Sequence, residues 1–116
     1  MPRLANNQVR EAVNERRHFM TNNQTILSKS QWREGSELYI VYSYGEHYPA
    51  YVYDYGTKTW FGNETKSSRT TERHKTHARP DGYIDWCSTS YLQSIIRHGS
   101  YAAHCARAVT REVSVA

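Results

Sequence analysis

Residues 37–55 read ELYIVYSYGEHYPAYVYDY, and this stretch decides the fold. β-Branched residues and tyrosines alternate on both sides of a Gly-Glu-His break, and the stretch contains most of the chain's ten tyrosines. Such residues favour strands, whereas glycine favours a turn. The stretch therefore predicts a β-hairpin.

Successive side chains of a strand point to opposite faces of the sheet. In the first predicted strand, one face carries Leu38, Ile40, Tyr42 and Tyr44, and the other carries Tyr39, Val41 and Ser43. In the second, one face carries Tyr48, Ala50, Val52 and Asp54, and the other carries Pro49, Tyr51, Tyr53 and Tyr55. Proline donates no backbone hydrogen bond, so Pro49 is expected at the strand start or on an edge.

A turn at residues 55–58 leads into Thr59-Trp60-Phe61, which predicts a third antiparallel strand and a three-stranded meander. A sheet of this size needs a helical cover on one face. Residues 1–20 have apolar side chains at helical spacing and predict an amphipathic helix, with Asn6 or Asn7 as its cap. Its opposite face, which includes Arg10, Arg16 and Arg17, is either a solvated helix face or an auxiliary basic patch.

Residues 21–35 are polar and broken, and they predict a short strand that packs Trp32 beneath the sheet. Residues 83–87 follow a Pro-Asp-Gly turn and are expected to be extended. Ser88 or Thr89 predicts the start of a helix, which Gly99 closes. A second helix is predicted from residue 101 to about 109, with residues 110–116 frayed.

The chain is therefore expected to be one α+β domain, residues 1–116. Its predicted core is a small three- to four-stranded antiparallel sheet, built on the Tyr-rich hairpin and packed with an N-terminal helix and one or two C-terminal helices. The length of 116 residues and the hydrophobic fraction of 38% suit a single modest core.

The cysteine count and hydropathy favour a cytoplasmic protein. Cys87 and Cys105 are too few for a secreted disulfide scaffold, and they are expected as free thiols. The N-terminal residues turn polar at once, and no segment approaches the roughly 18 apolar residues of a membrane span. We therefore expect no membrane partner.

The net charge of +4 is concentrated in one segment. Residues 65–79 carry five basic side chains against the single acid Glu72, while the basic and acidic residues elsewhere cancel. A local basic segment attracts phosphate or an acidic protein surface, and its sequence does not distinguish the two.

The sequence lacks the common catalytic signatures, including a glycine-rich phosphate loop, a GxSxG elbow, an HExxH helix and a CxxC pair. No cofactor is expected. His74 and His77 share helical spacing, but the remaining candidate ligands, Cys87, His98, His104 and Cys105, lack the compact pairs of usual zinc sites. Metal-free RNA cleavage by His74, His77 and Lys75 is a remote alternative.

Two binding functions use the same residues. Tyr51, Tyr53 and Tyr55 could form a platform that stacks bases while nearby cations contact phosphates, as in many single-strand binders. The alternative is that these rings pack under a helix. A tyrosine-rich hairpin beside a basic segment would also suit docking on a protein, because Tyr and Arg are enriched at binding hot spots.

Residues 38–80, with STSYLQ after them, resemble an uncharacterised family of small bacteriophage proteins. In that family a (V/I)VYSYG-H-P hairpin runs into a W-x-N-x-x-K-x-S-R-T-T-x-x-H segment that ends in R-P. The matching residues here are Tyr42, Ser43, Tyr44, Gly45, His47, Pro49, Tyr53, Trp60, Asn63, Lys66, Ser68, Arg69, Thr70, Thr71, His74, Arg79 and Pro80. This chain has two residues, Phe61-Gly62, between Trp60 and Asn63, which departs from the family pattern by one.

The resemblance implies a phage origin, and small phage proteins often bind host machines such as polymerases or defence nucleases. We therefore expect a non-enzymatic protein that inhibits or modulates a host protein or nucleoprotein complex; direct nucleic-acid binding with weak sequence specificity is the alternative. The predicted binding residues are Lys66, Arg69, Arg73, His74, Lys75, His77, Arg79, Tyr51, Tyr53 and Tyr55. The oligomeric state stays open.

Overall fold

A computed structural model describes residues 3–33 and 36–99. Within them, seven strands form one mixed sheet whose spatial order follows the chain. The strands are β1 (Arg3–Leu4), β2 (Met20–Thr21), β3 (Ile26–Arg33), β4 (Ser36–Ser43), β5 (Pro49–Asp54), β6 (Thr59–Asn63) and β7 (Ile84–Cys87). The helices are α1 (Val9–Asn14), preceded by a 3-10 turn (Asn6–Gln8), α2 (Arg69–Ala78) and α3 (Thr89–His98). The predicted α+β class is confirmed, but the sheet has more strands than the three to four that the sequence predicted.

The central strands β2 to β6 form an antiparallel meander, whereas each outer pair is parallel. Helix α1 connects β1 to β2, and α2 connects β6 to β7. Each connection joins two adjacent parallel strands, and both move across the sheet in the same direction. Crossovers between parallel strands are almost always right-handed. Helices α1 and α2 consequently lie against each other on one face of the sheet.

The predicted hairpin is confirmed as β4 and β5. Tyr39 pairs with Tyr53 and Val41 with Tyr51, so these four side chains share a face. Pro49 is the first residue of β5, as its missing N–H requires. The register shifts by one residue after Val41, next to the turn.

Each face of the sheet has its own core. The core beneath α1 and α2 contains Val9, Val13, Tyr39, Val41, Tyr51 and Trp60. The core beneath α3 contains Leu38, Ile40, Val52, Phe61, Leu92 and Ile95. This arrangement explains why both faces of the hairpin sequence are apolar.

The N-terminal prediction was wrong in extent. Helix α1 has six residues, and its N-cap is Gln8 rather than Asn6 or Asn7. Arg16 adopts a left-handed backbone with φ of 53° and ends the helix. Phe19 then enters the sheet region, where its N–H donates to Ser28 Oγ at 2.9 Å. Pairing with neighbouring strands therefore overrides the helical spacing of these residues.

The prediction for residues 21–35 was also wrong in extent and in the placement of Trp32. Strand β3 has eight residues and pairs with β4 along its whole length. Trp32 is 66% exposed instead of lying beneath the sheet. Its position near the end of β3 carries it beyond the helices that cover that face.

The C-terminal predictions are confirmed as far as the structure describes the chain. The expected extended stretch is β7, and α3 begins after Ser88, whose Oγ accepts a hydrogen bond from Tyr91 N at 3.1 Å. Gly99 follows α3 with φ of 90°, a backbone conformation that favours glycine. The helix predicted from residue 101 and the frayed tail lie outside the described residues. None of the described helices has the length and apolar character needed to cross a membrane.

Candidate functional site

The basic segment forms α2, and its serine and threonine residues explain where the helix begins. Ser68 Oγ accepts a hydrogen bond from Thr71 N at 3.1 Å and so satisfies one of the free N–H groups of the first turn. Glu72 follows in the first turn, where a carboxylate is favourable. The helix stops at Ala78 because the residue before Pro80, Arg79, is disfavoured in helical geometry.

Helical spacing divides the predicted site residues between two faces of α2. The inner face is buried against the sheet and α1 and consists of Thr71, His74, Lys75 and Ala78. Arg69 and Arg73 lie one helical turn apart on the opposite, exposed face. Lys66 precedes the helix and is exposed, as is Arg79 after it, while His77 is half-buried. The helix therefore exposes some of the predicted binding cations and buries others.

Lys75 is one of the buried cations. Its Nζ donates to Asn63 O at 2.9 Å and lies 3.1 Å from Glu72 Oε2, and 11% of the side chain is exposed. A buried charge of this kind requires its partners, because an unpaired one is strongly destabilising. Lys75 therefore ties α2 to the end of β6 rather than facing a binding partner.

His74 is the second predicted residue that the fold buries. Its Nδ1 lies 2.8 Å from Ser43 Oγ, and its Nε2 lies 3.5 Å from Thr25 Oγ1. Burial lowers the pKa of His74, and the charges of His77 and Arg73 add to this effect. His74 is thus favoured in its neutral form as a hydrogen-bonding link between α2 and the sheet.

The structure does not bring His74, His77 and Lys75 together in one open site, as metal-free RNA cleavage would require. His74 and Lys75 are held by different partners on the buried side of α2. Within the described ranges, no group of three or more His, Cys, Asp and Glu side chains could hold a metal ion. His104 and Cys105 of the considered ligand set lie outside those ranges.

The expectation of an exposed platform of three tyrosines was wrong for two of the rings. Tyr51 is 1% exposed and Tyr53 is 9% exposed. The Tyr51 hydroxyl donates to Lys75 O at 2.6 Å, and burial raises its pKa. Tyr55 alone is half-buried, because it lies beyond the end of β5. The helices α1 and α2 cover the face on which Tyr51 and Tyr53 would have stacked bases.

Lys66, Arg69 and Arg73 are predicted binding cations that lie exposed on or beside the outer face of α2, and we call them the α2 basic stripe. Among the described residues, the ion pairs are Arg10–Asp81, Arg17–Glu15, Lys29–Glu46 and Lys75–Glu72, and none involves the stripe. Lys66 and Arg69 lie at the N-terminus of α2, where the helix dipole is positive and cations are unfavourable, and Arg73 lies one turn further along the helix. Positive potential is therefore concentrated at this end of the helix.

Tyr44 borders α2 and is a candidate binding residue that the sequence-based prediction did not include. It is 48% exposed, its ring centroid lies 5.1 Å from that of His74, and its φ is 58°. A left-handed backbone is rare for a bulky residue and often marks a functional site. The sequence signal was its position directly before Gly45 at the tip of the hairpin. The side chain of a turn residue does not have to point to either face of the sheet.

A shallow cleft of about 310 Å³ runs along the other flank of α2. Its lining residues are Tyr51, Asn63, Glu64, Glu72, Lys75, Thr76, Arg79 and Trp86. The Trp86 ring covers Gly62 so closely that a Cβ there would lie 2.7 Å from it, and the Arg79 guanidinium lies 5.6 Å from the Trp86 ring centroid. The cleft therefore contains two carboxylates, Glu64 and Glu72, of which Glu72 is paired with Lys75.

Comparisons with protein-family models, curated proteins and solved structures found no match.

Proposed function

We propose that this chain is a non-enzymatic binding protein that docks on the acidic surface of a partner protein or nucleoprotein complex and modulates it. The α2 basic stripe, Lys66, Arg69 and Arg73, is the centre of the docking surface, with Tyr44 at its border. The observation that carries the proposal is that these three exposed cations cluster within residues 66–73 and take part in none of the ion pairs of the described residues.

The position of Lys66 and Arg69 at a helix N-terminus adds to this argument. A charge that opposes the helix dipole costs about 0.3–1 kcal/mol at an exposed site. Acidic groups of a partner would reverse this cost, because they would meet both the cations and the positive end of the helix. The arrangement is therefore unfavourable in the isolated chain and favourable in a complex.

Two features favour a protein partner over nucleic acid at α2. The exposed carboxylate of Glu64 in the cleft along α2 would repel a phosphate backbone that followed the helix, whereas Glu72 is already paired with Lys75. Tyr51 is buried beneath α2 and offers no ring for stacking. A protein surface can match mixed charges in register, and such complementarity provides specificity.

The proposal includes a phage origin and action on a host machine such as a polymerase or a defence nuclease. The residues of the phage resemblance fall on β4, β5, β6 and α2 and on the segments that connect or follow them, so the resemblance includes the docking surface. Direct nucleic-acid binding through the stripe is the competing function.

A pair of charge-matched variants tests the proposal. The test variant is Arg69→Glu with Arg73→Glu, and the control is Arg3→Glu with Lys58→Glu, which reverses two exposed cations in β1 and in the β5–β6 turn. Immobilised wild-type, test and control proteins are incubated with nuclease-treated host lysate, and retained proteins are quantified by mass spectrometry.

We expect one stoichiometric partner that the wild type and the control retain and the test variant loses. Crosslinks from that partner should fall on residues 64–79. Retention of the same partner by the test variant would contradict the proposal. A gel shift with duplex and single-stranded DNA that depends on Arg69 and Arg73, without such a partner, would establish nucleic-acid binding at α2 instead.

A further inference from the structure

Strand β3 has an outer edge that β2 covers only in part. The short strand β2 pairs with β3 at Leu27, and the hydrogen bond from Ser28 N to Phe19 O, 3.1 Å long, follows it. On the inner side, β4 pairs with β3 along its whole length. Within the described part of the chain, the last residues of β3 therefore have a neighbouring strand on one side only.

The hydrogen-bond pattern shows which backbone groups lie on this edge. In an antiparallel sheet, alternate residues direct both of their backbone groups to the same neighbour. Tyr44 N donates to Thr25 O at 2.8 Å, so the odd-numbered residues of β3 bond to β4 and the even-numbered residues direct their groups outward. Among the described residues, none bonds to the backbone N–H or C=O of Ser30 or Trp32. We call these two residues the β3 open edge.

The Trp32 side chain adds an aromatic surface to the β3 open edge. Its ring stacks on Tyr55, with ring centroids 5.3 Å apart and an interplanar angle of 27°, and 66% of the side chain is exposed. Tyr55 follows β5, on the inner side of Trp32, so the other face of the indole is turned toward the outer edge. A strand added at this edge would place the side chain opposite Trp32 against that face.

A pocket of about 410 Å³ lies beside the same edge, on the face of the sheet that α3 covers. Ser30 belongs to its lining, so the pocket reaches the β3 open edge. At the rim, Lys29 Nζ lies 2.6 Å from Glu46 Oε1, so the two charges compensate each other and the pocket suits an uncharged side chain. The lining also includes the apolar side chains of Ile40, Tyr42 and Ile96.

We propose that the β3 open edge binds an extended segment of a partner protein, which adds to the sheet as a further strand beside β3. The backbone of the segment exchanges hydrogen bonds with Ser30 and Trp32, and the side chain opposite Trp32 packs on the indole. The next residue, opposite Gln31, points to the other face and directs an aliphatic side chain into the pocket. In this type of binding, the backbone supplies affinity and alternate side chains supply specificity. This function goes beyond docking at α2 and uses none of the residues of the α2 basic stripe.

Peptide display on the full chain tests the proposal. A library of random peptides of about ten residues, long enough for one strand, is selected on the wild type, and enriched peptides are synthesised and titrated by fluorescence anisotropy. Ser30→Pro removes the outward N–H, whereas the matched control Ser30→Ala keeps it. Trp32→Ala removes the aromatic surface, and its control Tyr83→Ala removes an exposed ring elsewhere. Arg69→Glu with Arg73→Glu separates this edge from α2.

We expect enriched peptides with aliphatic residues at alternate positions, and a loss of affinity of about tenfold or more in Ser30→Pro and in Trp32→Ala. The two controls and the α2 variant should bind like the wild type. N-methyl amino acids in the peptide should weaken binding at every second position, because only those N–H groups face β3. This series uses the wild type, so it does not depend on the folding of Ser30→Pro. No enriched peptide, equal binding by Trp32→Ala, or a uniform effect of N-methylation would overturn the proposal.

Amide hydrogen exchange measured by NMR provides a second readout. In the free chain, the amides of Ser30 and Trp32 should exchange faster than those of Lys29 and Gln31, which bond to β4. Binding of an enriched peptide should slow the exchange of Ser30 and Trp32. Slow exchange of both amides in the free chain would overturn the proposal. If that protection appeared only at high protein concentration, the occupant of the edge would be a second copy of this chain instead.

Discussion

Tyr51 and Tyr55 lie four residues apart and point to the same side of the sheet, yet they have opposite environments. Tyr51 is buried beneath α2 and donates to Lys75 O at 2.6 Å, whereas Tyr55 is half-buried and stacks with the exposed Trp32. The residue type and the face are the same in both cases. The position of the covering helices therefore decides which aromatic residues form the core and which form a surface.

The same boundary divides the charged residues. On α2, the inner cation Lys75 has two oxygen partners, whereas Arg69 and Arg73 on the outer face have no ion-pair partner among the described residues. Near the end of β5, Arg16 lies over tyrosine rings instead of a carboxylate. Cations on the inner side of α2 and beside the core tyrosines are thus held by oxygen atoms or rings, whereas those on the outer face of α2 are exposed.

The largest expected effect is the difference between truncating the two tyrosines. Tyr51→Ala should lower the free energy of unfolding by about 3–5 kcal/mol, because it removes a large ring from a closely packed core. Tyr55→Ala should cost less than about 1 kcal/mol, since its ring is only partly buried. Urea unfolding monitored by circular dichroism measures both.

Tyr51→Phe serves as the control for the first comparison. It keeps the ring and removes the hydrogen bond to Lys75 O, so its expected cost is about 1 kcal/mol. Equal losses for Tyr51→Ala and Tyr55→Ala would contradict the assignment of one tyrosine to the core and the other to the surface.

The next effect concerns His74, which lies on the buried side of α2. Its pKa is lowered in the folded chain, chiefly by burial, so the unfolded chain binds this proton more readily. Stability should therefore fall as the pH drops from about 6.5 through the lowered pKa, and level off below it. Unfolding midpoints in urea between pH 7.5 and pH 4.5 measure the trend.

His74→Gln should weaken this pH dependence relative to the wild type. It should also cost about 1–3 kcal/mol at pH 7.5, because Ser43 Oγ loses its short contact with Nδ1 in a buried setting. If the variant and the wild type had parallel pH profiles, His74 would not be the titrating group.

Local signals explain the parts of the fold that could be predicted. Alternating side chains around Gly45 predict β4 and β5, and Ser88 and Gly99 mark both ends of α3 within a few residues. In contrast, β1 and β2 have two residues each and depend on pairing with their neighbours. Strand β3 was underestimated because Ser28, Lys29 and Ser30 interrupt its apolar pattern.

The candidate site was predictable in its charge but not in its geometry. The excess of cations in residues 65–79 is visible in the sequence, and these residues do carry the α2 basic stripe. Which side chains of α2 face the sheet depends on how the helix packs, so the burial of His74 and Lys75 could not be derived from spacing alone. For Trp32 the error is the reverse. Its apolar side chain predicted a buried position, but the helices do not cover the end of β3 where it lies.

The smallest expected effect concerns a variant in the α2 basic stripe, whose free energy of unfolding should rise instead of fall. Arg69 is the first residue of α2, where a carboxylate is favoured over a cation. Arg69→Glu should therefore stabilise the isolated chain by about 0.5 kcal/mol, although repulsion from Glu72 offsets part of the gain. This corresponds to a rise of roughly 2–3 °C in the Tm measured by calorimetry at low salt.

The matched control Lys58→Glu makes the same change in charge within a turn and should leave the Tm nearly unchanged. A variant that is more stable and yet loses the partner would show that Arg69 serves binding at the expense of stability, whereas destabilisation by Arg69→Glu would show that the arginine supports the fold.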